Sequence, residues 1–217
     1  MQRALTEIKT LRALYIAGEI KPALAANIKY KTSGNLLDRV SLYQGTITEL
    51  EVDAIVNAAN RSLLGGGGVD GAIHRAAGRQ LLAECRKLGG CPTGDAKITN
   101  GYNLPAKHVI HTVGPVYDEE QVDKSAKLLA SCYRRSLELA VQNSLKHVAF
   151  PSISTGLYGY PVKDATDIAI NEVRQFLDSE SGTKLDRVIF VVWGDEDKLA
   201  YERLLPIYFP LDEATAE

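Results

Sequence analysis

Cysteine is scarce: Cys85, Cys91 and Cys132 are the only three in a chain of 217 residues. They are odd in number and widely spaced, which speaks against a disulfide framework and for a reducing compartment. A basic excess is also missing. Lys and Arg number 25 against 27 Asp and Glu, a formal charge of −2, so general nucleic-acid binding is not expected. No apolar run approaches the roughly 18 residues of a membrane span, and no secretory signal peptide is recognisable. An intracellular protein of the cytoplasm or nucleus is therefore expected. Arg3, Lys9 and Arg12 among spaced leucines leave mitochondrial targeting open, with Glu7 counting against it. No Gly-Lys-Ser or Gly-Lys-Thr occurs, which removes a P-loop. What remains, 45% hydrophobic and 24% charged residues, suits one globular domain with a sizeable core.

Residues 54–78 organise the chain. They run Ala-Ile-Val-Asn-Ala-Ala-Asn, then Arg-Ser-Leu-Leu, then four glycines, then Val-Asp-Gly-Ala-Ile-His-Arg-Ala-Ala-Gly. Ala54 to Asn57 suit a buried strand. Gly65 to Gly68 are loop. From Val69 onward Ile73, Ala76, Ala77, Leu81, Cys85 and Leu88 recur at helical spacing, which predicts one helix over 70–88, stopped by Gly89-Gly90. A loop without side chains that feeds a helix N-terminus suits an anion. Asn60 follows the strand, Asp70 sits in the helix's first turn, and His74 lies four residues on, on the same face. Each also has a plainer use: Asp70 as a charge at the helix N-terminus, Asn60 as a turn cap, His74 as a core histidine.

The rest of the chain alternates strands and helices. Residues 1–38 read as a lead-in with a helix carrying Leu5, Ile8, Leu11, Leu14 and Tyr15 on one face, packed on a main domain at 39–210; residues 211–217 read as an acidic tail. Strands are expected at 40–43, 96–102, 108–113, 147–150 and 187–193, and helices near 120–143, 161–177 and 197–207. That alternation predicts a three-layer α/β/α sandwich. A second loop, Ser152-Ile-Ser-Thr-Gly-Leu-Tyr-Gly-Tyr160, follows the strand at 147–150. Ligands of open α/β sheets lie beyond the strands' carboxyl ends, so the two loops are expected to close on one ligand. Ser154, Thr155, Gly156, Leu157 and Tyr158 offer N–H and hydroxyl donors suited to a diphosphate, with the Tyr158 ring as a wall; the same residues also fit a simple strand-to-helix turn.

Three runs carry a family resemblance: Asp53-Ala-Ile-Val-Asn-Ala-Ala-Asn60 with Gly65-Gly-Gly-Gly-Val-Asp-Gly-Ala-Ile-His74; Gly101-Tyr-Asn-Leu-Pro-Ala-Lys-His-Val-Ile-His-Thr-Val-Gly-Pro115; and Phe150-Pro-Ser-Ile-Ser-Thr-Gly-Leu-Tyr-Gly-Tyr-Pro161. Over residues 40–210 the chain resembles the macrodomains, specifically the MacroD-type branch. The resemblance implies a mixed sheet of about six strands with helices on both faces. It implies ADP-ribose and mono-ADP-ribosylated proteins as partners, with no cofactor and no metal. Loop 64–71, through Gly67, Gly68 and Val69, and loop 154–160 would hold the diphosphate. Asn60 would bind the distal ribose, Asp70 would orient or activate a water at its anomeric carbon, and His74 would support Asp70 or the ribose hydroxyls. The implied activity is hydrolysis of ADP-ribose esters on protein Asp or Glu, and of O-acetyl-ADP-ribose. A reader module without turnover is the alternative.

Asp70, as a carboxylate at a helix N-terminus, is expected to stay ionised and to be a weak base. One departure from the family pattern is Gly45-Thr46-Ile47-Thr48, where the family has Gly-Asp-Ile-Thr. Thr46 keeps an acceptor but loses the charge, which predicts looser recognition of the adenine amino group, with the Ile47 N–H still on the base. Trp193 is expected either to stack on adenine or to sit in the core. Gly66-x-Gly68-x-x-Gly71 fits a dinucleotide fingerprint formally, but the next strand ends in no acid. His108 and His111 are three apart on a strand and point to opposite faces, and His74 and Cys91 have no partner spacing, so no metal site is expected.

Overall fold

The computed structural model describes residues 2–33 and 35–211; the acidic tail expected at the C-terminus lies, from residue 212 on, outside the described residues. In chain order the strands are β1 (Arg3–Ala4), β2 (Val40–Gln44), β3 (Leu50–Glu51), β4 (Ala54–Ala59), β5 (Ala96–Asn100), β6 (His108–Val113), β7 (His147–Phe150) and β8 (Arg187–Val192). The α-helices are α1 (Leu11–Ile16), α2 (Leu36–Arg39), α3 (Gly68–Ala77), α4 (Arg79–Leu88), α5 (Val122–Gln142), α6 (Val162–Asp178) and α7 (Asp195–Tyr208). Six strands form the central sheet in the order β2-β8-β7-β4-β6-β5, and β1 pairs with β3 apart from it. All neighbours in the central sheet are parallel except β5 and β6.

Side chains alternate along each strand. In β4, Ala54 and Val56 enter one core while Ile55 and Ala59 enter the other; in β8, Val188, Phe190 and Val192 go one way and Ile189 and Val191 the other. Both faces are therefore apolar, which is why these strands read as nearly continuous apolar runs. Helices α5, α6 and α7, with α1, cover the first face through Leu129, Val173, Leu205 and Leu11. Helices α3 and α4 cover the second through Ile73, Ala77, Leu81 and Cys85. The expected three-layer sandwich with a six-stranded mixed sheet is what the chain forms.

Two expected helices differ. The helix over 70–88 is broken at Gly78, whose φ of +87° is a left-handed value that a helix does not accommodate. The chain turns there and restarts as α4. In the lead-in, a 3-10 turn at Leu5–Glu7 precedes α1, which starts only at Leu11 because the Thr10 hydroxyl accepts the Ala13 N–H and caps it. Asp53 ties three segments together. Its carboxylate accepts the Lys146 and His147 N–H groups at 2.8 and 3.0 Å and the Lys107 ammonium at 2.7 Å. Burial alone would raise its pKa; these donors outweigh burial and hold it below the ordinary carboxylate value.

Candidate active site

The carboxyl ends of β2, β8, β7, β4 and β6 point to one edge of the sheet, and a cavity of about 780 Å³ opens above them. This is the place that open α/β sheets reserve for ligands, and its size suits a nucleotide-sized molecule. The loop after each strand contributes: Gly45 to Thr48 after β2, Trp193 after β8, Pro151 to Tyr158 after β7, Asn60 and Gly66 to Asp70 after β4, and Gly114 after β6. Thr46, Ile47, Asn60, Gly67, Gly68, Val69, Asp70, Ser154, Thr155, Gly156, Leu157, Tyr158 and Trp193 all line it. His74 does not.

At one end sits Asp70, 4% exposed, in the first turn of α3. Its Oδ1 accepts the Asn57 side-chain N–H at 2.7 Å and lies 3.4 Å from His74 Nε2. Its Oδ2 has no hydrogen-bond partner among the described residues. The carboxylate is thus held by one oxygen and free at the other. His74 lies against Asp70 without lining the cavity, which fits support of Asp70 rather than contact with a ligand. Burial pushes the Asp70 pKa up from the ordinary value, against the pull of Asn57 and then His74. The expectation of a weakly basic group left this burial out; burial acts in the opposite direction and outweighs the Asn57 and His74 contacts.

Asn60 is anchored on both sides of its amide. Nδ2 donates to the Gly65 carbonyl at 2.8 Å, and Oδ1 accepts the Ser62 N–H and hydroxyl at 3.0 and 2.6 Å. One Nδ2 hydrogen is left over. A Cβ on Gly66 would come within 3.1 Å of Asp70 Oδ2 and 3.2 Å of Asn60 Nδ2. The missing side chain at position 66 is therefore the open space between the acid and the amide.

The second loop is built differently. Ser154 is buried at a φ of +67°, and its hydroxyl and that of Ser152 have no partner. Leu157 is 96% exposed and Trp193 is 78% exposed. The exposure of Trp193 excludes a core role and leaves it at the cavity's mouth. Thr46 lines the same cavity, and its side chain does not cap the 3-10 turn that follows.

Sequence reasoning missed Asn57 and His111. They are paired across β4 and β6, both fully buried, and Asn57 Nδ2 lies 3.1 Å from His111 Nδ1. The available signal was a polar residue in the middle of each of two apolar strands. It also missed that His74, Cys85 and His111 converge, with one donor atom from each within 4.8 Å of the others. The sequence spacing had no partner for His74; α4 and β6 bring two. Within this group His111 Nε2 already has the Thr99 hydroxyl at 2.9 Å.

A macro domain family model matches residues 56–169. ADP-ribose glycohydrolase MACROD2 of Xenopus laevis is 51% identical over 210 residues, which cover 91% of this chain and 50% of that protein. The chain thus spans about half the length of that relative. Among solved structures, the macro domain of ganglioside induced differentiation associated protein 2 matches with a TM-score of 0.87 at 34% identity, covering 96% of this chain and 97% of that one. The Trypanosoma brucei macrodomain in complex with ADP-ribose matches with a TM-score of 0.78 at 40% identity, covering 93% and 76%. With a strand-end cavity between two loops and relatives of this similarity, the chain belongs to the macrodomain family.

Proposed function

We propose that this chain hydrolyses the ester that joins ADP-ribose to an Asp or Glu side chain of a protein, and that it also takes O-acetyl-ADP-ribose. The two loops receive the diphosphate on backbone N–H groups and on the unpartnered hydroxyls of Ser152 and Ser154. Thr46 and Ile47 meet the adenine, and Trp193 stacks on it. Asn60 offers its remaining N–H to the distal ribose. A water held by Asp70 Oδ2 attacks the anomeric carbon. Its oxygen bonds to that carbon, the carbon–oxygen bond to the protein carboxylate breaks, and the carboxylate leaves with the electron pair. The water proton passes to Asp70, whose raised pKa makes it a better acceptor than a surface aspartate.

The observation that carries the reading is the asymmetry of Asp70: one oxygen bonded to Asn57, the other unpartnered beside the space above Gly66. Release of ADP-ribose from a mono-ADP-ribosylated protein should fall about a hundred- to ten-thousandfold in Asp70→Ala, with ADP-ribose still bound in calorimetry. Wild-type protein that binds ADP-ribose but releases none would make this chain a reader.

A further inference from the structure

Asn57 and His111 are in register across β4 and β6, and each is a fully buried polar side chain in an apolar strand. Such groups are costly unless bonded. Asn57 Nδ2 has two hydrogens and two acceptors in reach: Asp70 Oδ1 at 2.7 Å and His111 Nδ1 at 3.1 Å. Asn57 Oδ1 has no hydrogen-bond partner among the described residues. Which end of the amide faces Asp70 is therefore decided wholly at Nδ2.

For His111 to accept there, its proton must be on Nε2. Nε2 lies 2.9 Å from the Thr99 hydroxyl and 3.7 Å from Cys85 Sγ; the nearer hydroxyl can accept its proton and point its own hydrogen at the Val109 carbonyl, 3.5 Å away. The hydrogens run in one direction: Asn57 to His111 Nδ1, His111 Nε2 to Thr99, Thr99 to the backbone. A proton added at Nδ1 would set two donors against each other. The amide would turn, and its carbonyl would face the Asp70 carboxylate.

We propose that His111 is a positioning residue: as a neutral ring protonated on Nε2, it fixes the Asn57 amide so that Asp70 is held by Oδ1 and leaves Oδ2 for the reacting water. Burial supports this by pushing the His111 pKa down to about 3, with His74 adding to the effect. The ionisable groups packed around Asp70 are His74 on its own helix, Cys85 on α4 and His111 on β6; Glu84 acts on Cys85 and Tyr102. The inference rests on the role given to Asp70 above.

The test uses the full chain and three variants. His111→Phe keeps a ring and loses both nitrogens. His111→Asn returns an acceptor oxygen near the Nδ1 position. Thr99→Val removes the nearer partner of Nε2 with little change in volume and leaves Cys85 Sγ at 3.7 Å. His111→Phe is expected to lower kcat about ten- to a hundredfold, the weight of one hydrogen bond to a charged group. ADP-ribose affinity stays within about twofold, because His111 does not line the cavity.

The sign for pH follows from Asn57, whose bond lowers the Asp70 pKa. Without that bond the Asp70 pKa rises further. The acid limb of the kcat profile, where the carboxylate becomes protonated, moves to higher pH. His111→Asn brings kcat and limb back toward wild type, and Thr99→Val shows a smaller loss with a shift of the same sign. Ring nitrogen NMR of the wild type should show Nε2 protonated and Nδ1 bare from pH 8 to pH 5.

An Nδ1-protonated ring, or a His111→Phe protein with an unmoved acid limb, overturns the proposal. So does a loss of affinity equal to the loss of kcat. If His111→Phe does not fold, Thr99→Val and the NMR decide. If the wild type turns over no ester, the functional reading fails on its own, and NMR titration of the Asp70 carboxyl in wild type and Thr99→Val still reports the coupling.

Discussion

The two loops over the cavity differ in how much of their chemistry is finished before a ligand arrives. At the first, Asn60 makes three hydrogen bonds and Asp70 is fixed through Asn57. At the second, the Ser152 and Ser154 hydroxyls have no partner and Leu157 stands in solvent. The end with the acid is tied by hydrogen bonds before a ligand arrives, and the proposed chemistry there depends on where one oxygen points. Under the proposed function, the end with the serines needs only to supply donors, and a diphosphate would complete it. The lesson is that preorganisation in this fold is local to the reacting end.

The comparison can be broken at the first loop with the largest effect. Gly66→Ala puts a methyl within about 3.2 Å of both Asp70 and Asn60 and fills the space that the proposed function assigns to ribose and water. ADP-ribose affinity should drop about tenfold, or roughly 1.4 kcal/mol, with a modest fall in Tm, because the methyl presses on Asp70 and Asn60 although φ at 66 is not left-handed. Unchanged affinity in calorimetry would mean that the ligand does not enter between these residues.

A smaller effect is expected at the second loop. Ser154→Ala removes a hydroxyl that has no partner in the free protein, so Tm should hold. Affinity for ADP-ribose should fall by about 0.5–1.5 kcal/mol. A drop in Tm with no drop in affinity would show the two loops to be equally finished. The smallest effect lies at the far end: Thr46→Asp restores a charged acceptor for the adenine amine. Since a hydrogen bond to a charged group contributes about 1.5–3 kcal/mol against roughly 1 for a neutral one, affinity should rise severalfold at most. No gain would place the amine elsewhere.

Most of the fold was legible because its signals are local. Val40 to Gln44, His108 to Val113 and Arg187 to Val192 are apolar runs between breakers, and the glycines and hydroxyls of the two loops advertise themselves in short stretches. Gly78 was legible in principle, as a glycine inside a helical pattern, but only its left-handed φ shows that the helix stops there. The network behind Asp70 was not legible. Asn57 and His111 meet through strand register, 54 residues apart, and periodicity says which face a side chain takes but not which strand lies beside it. The raised pKa of Asp70 was missed for the same reason, since it depends on burial by other elements.

Trp193 is the chain's single tryptophan, and it stands at the rim rather than in a core. All indole emission from this protein therefore originates beside the cavity, with no interior background to subtract. The molecule carries its own optical gauge: occupancy can be followed in real time by fluorescence, without a label and without altering a residue that takes part in the chemistry.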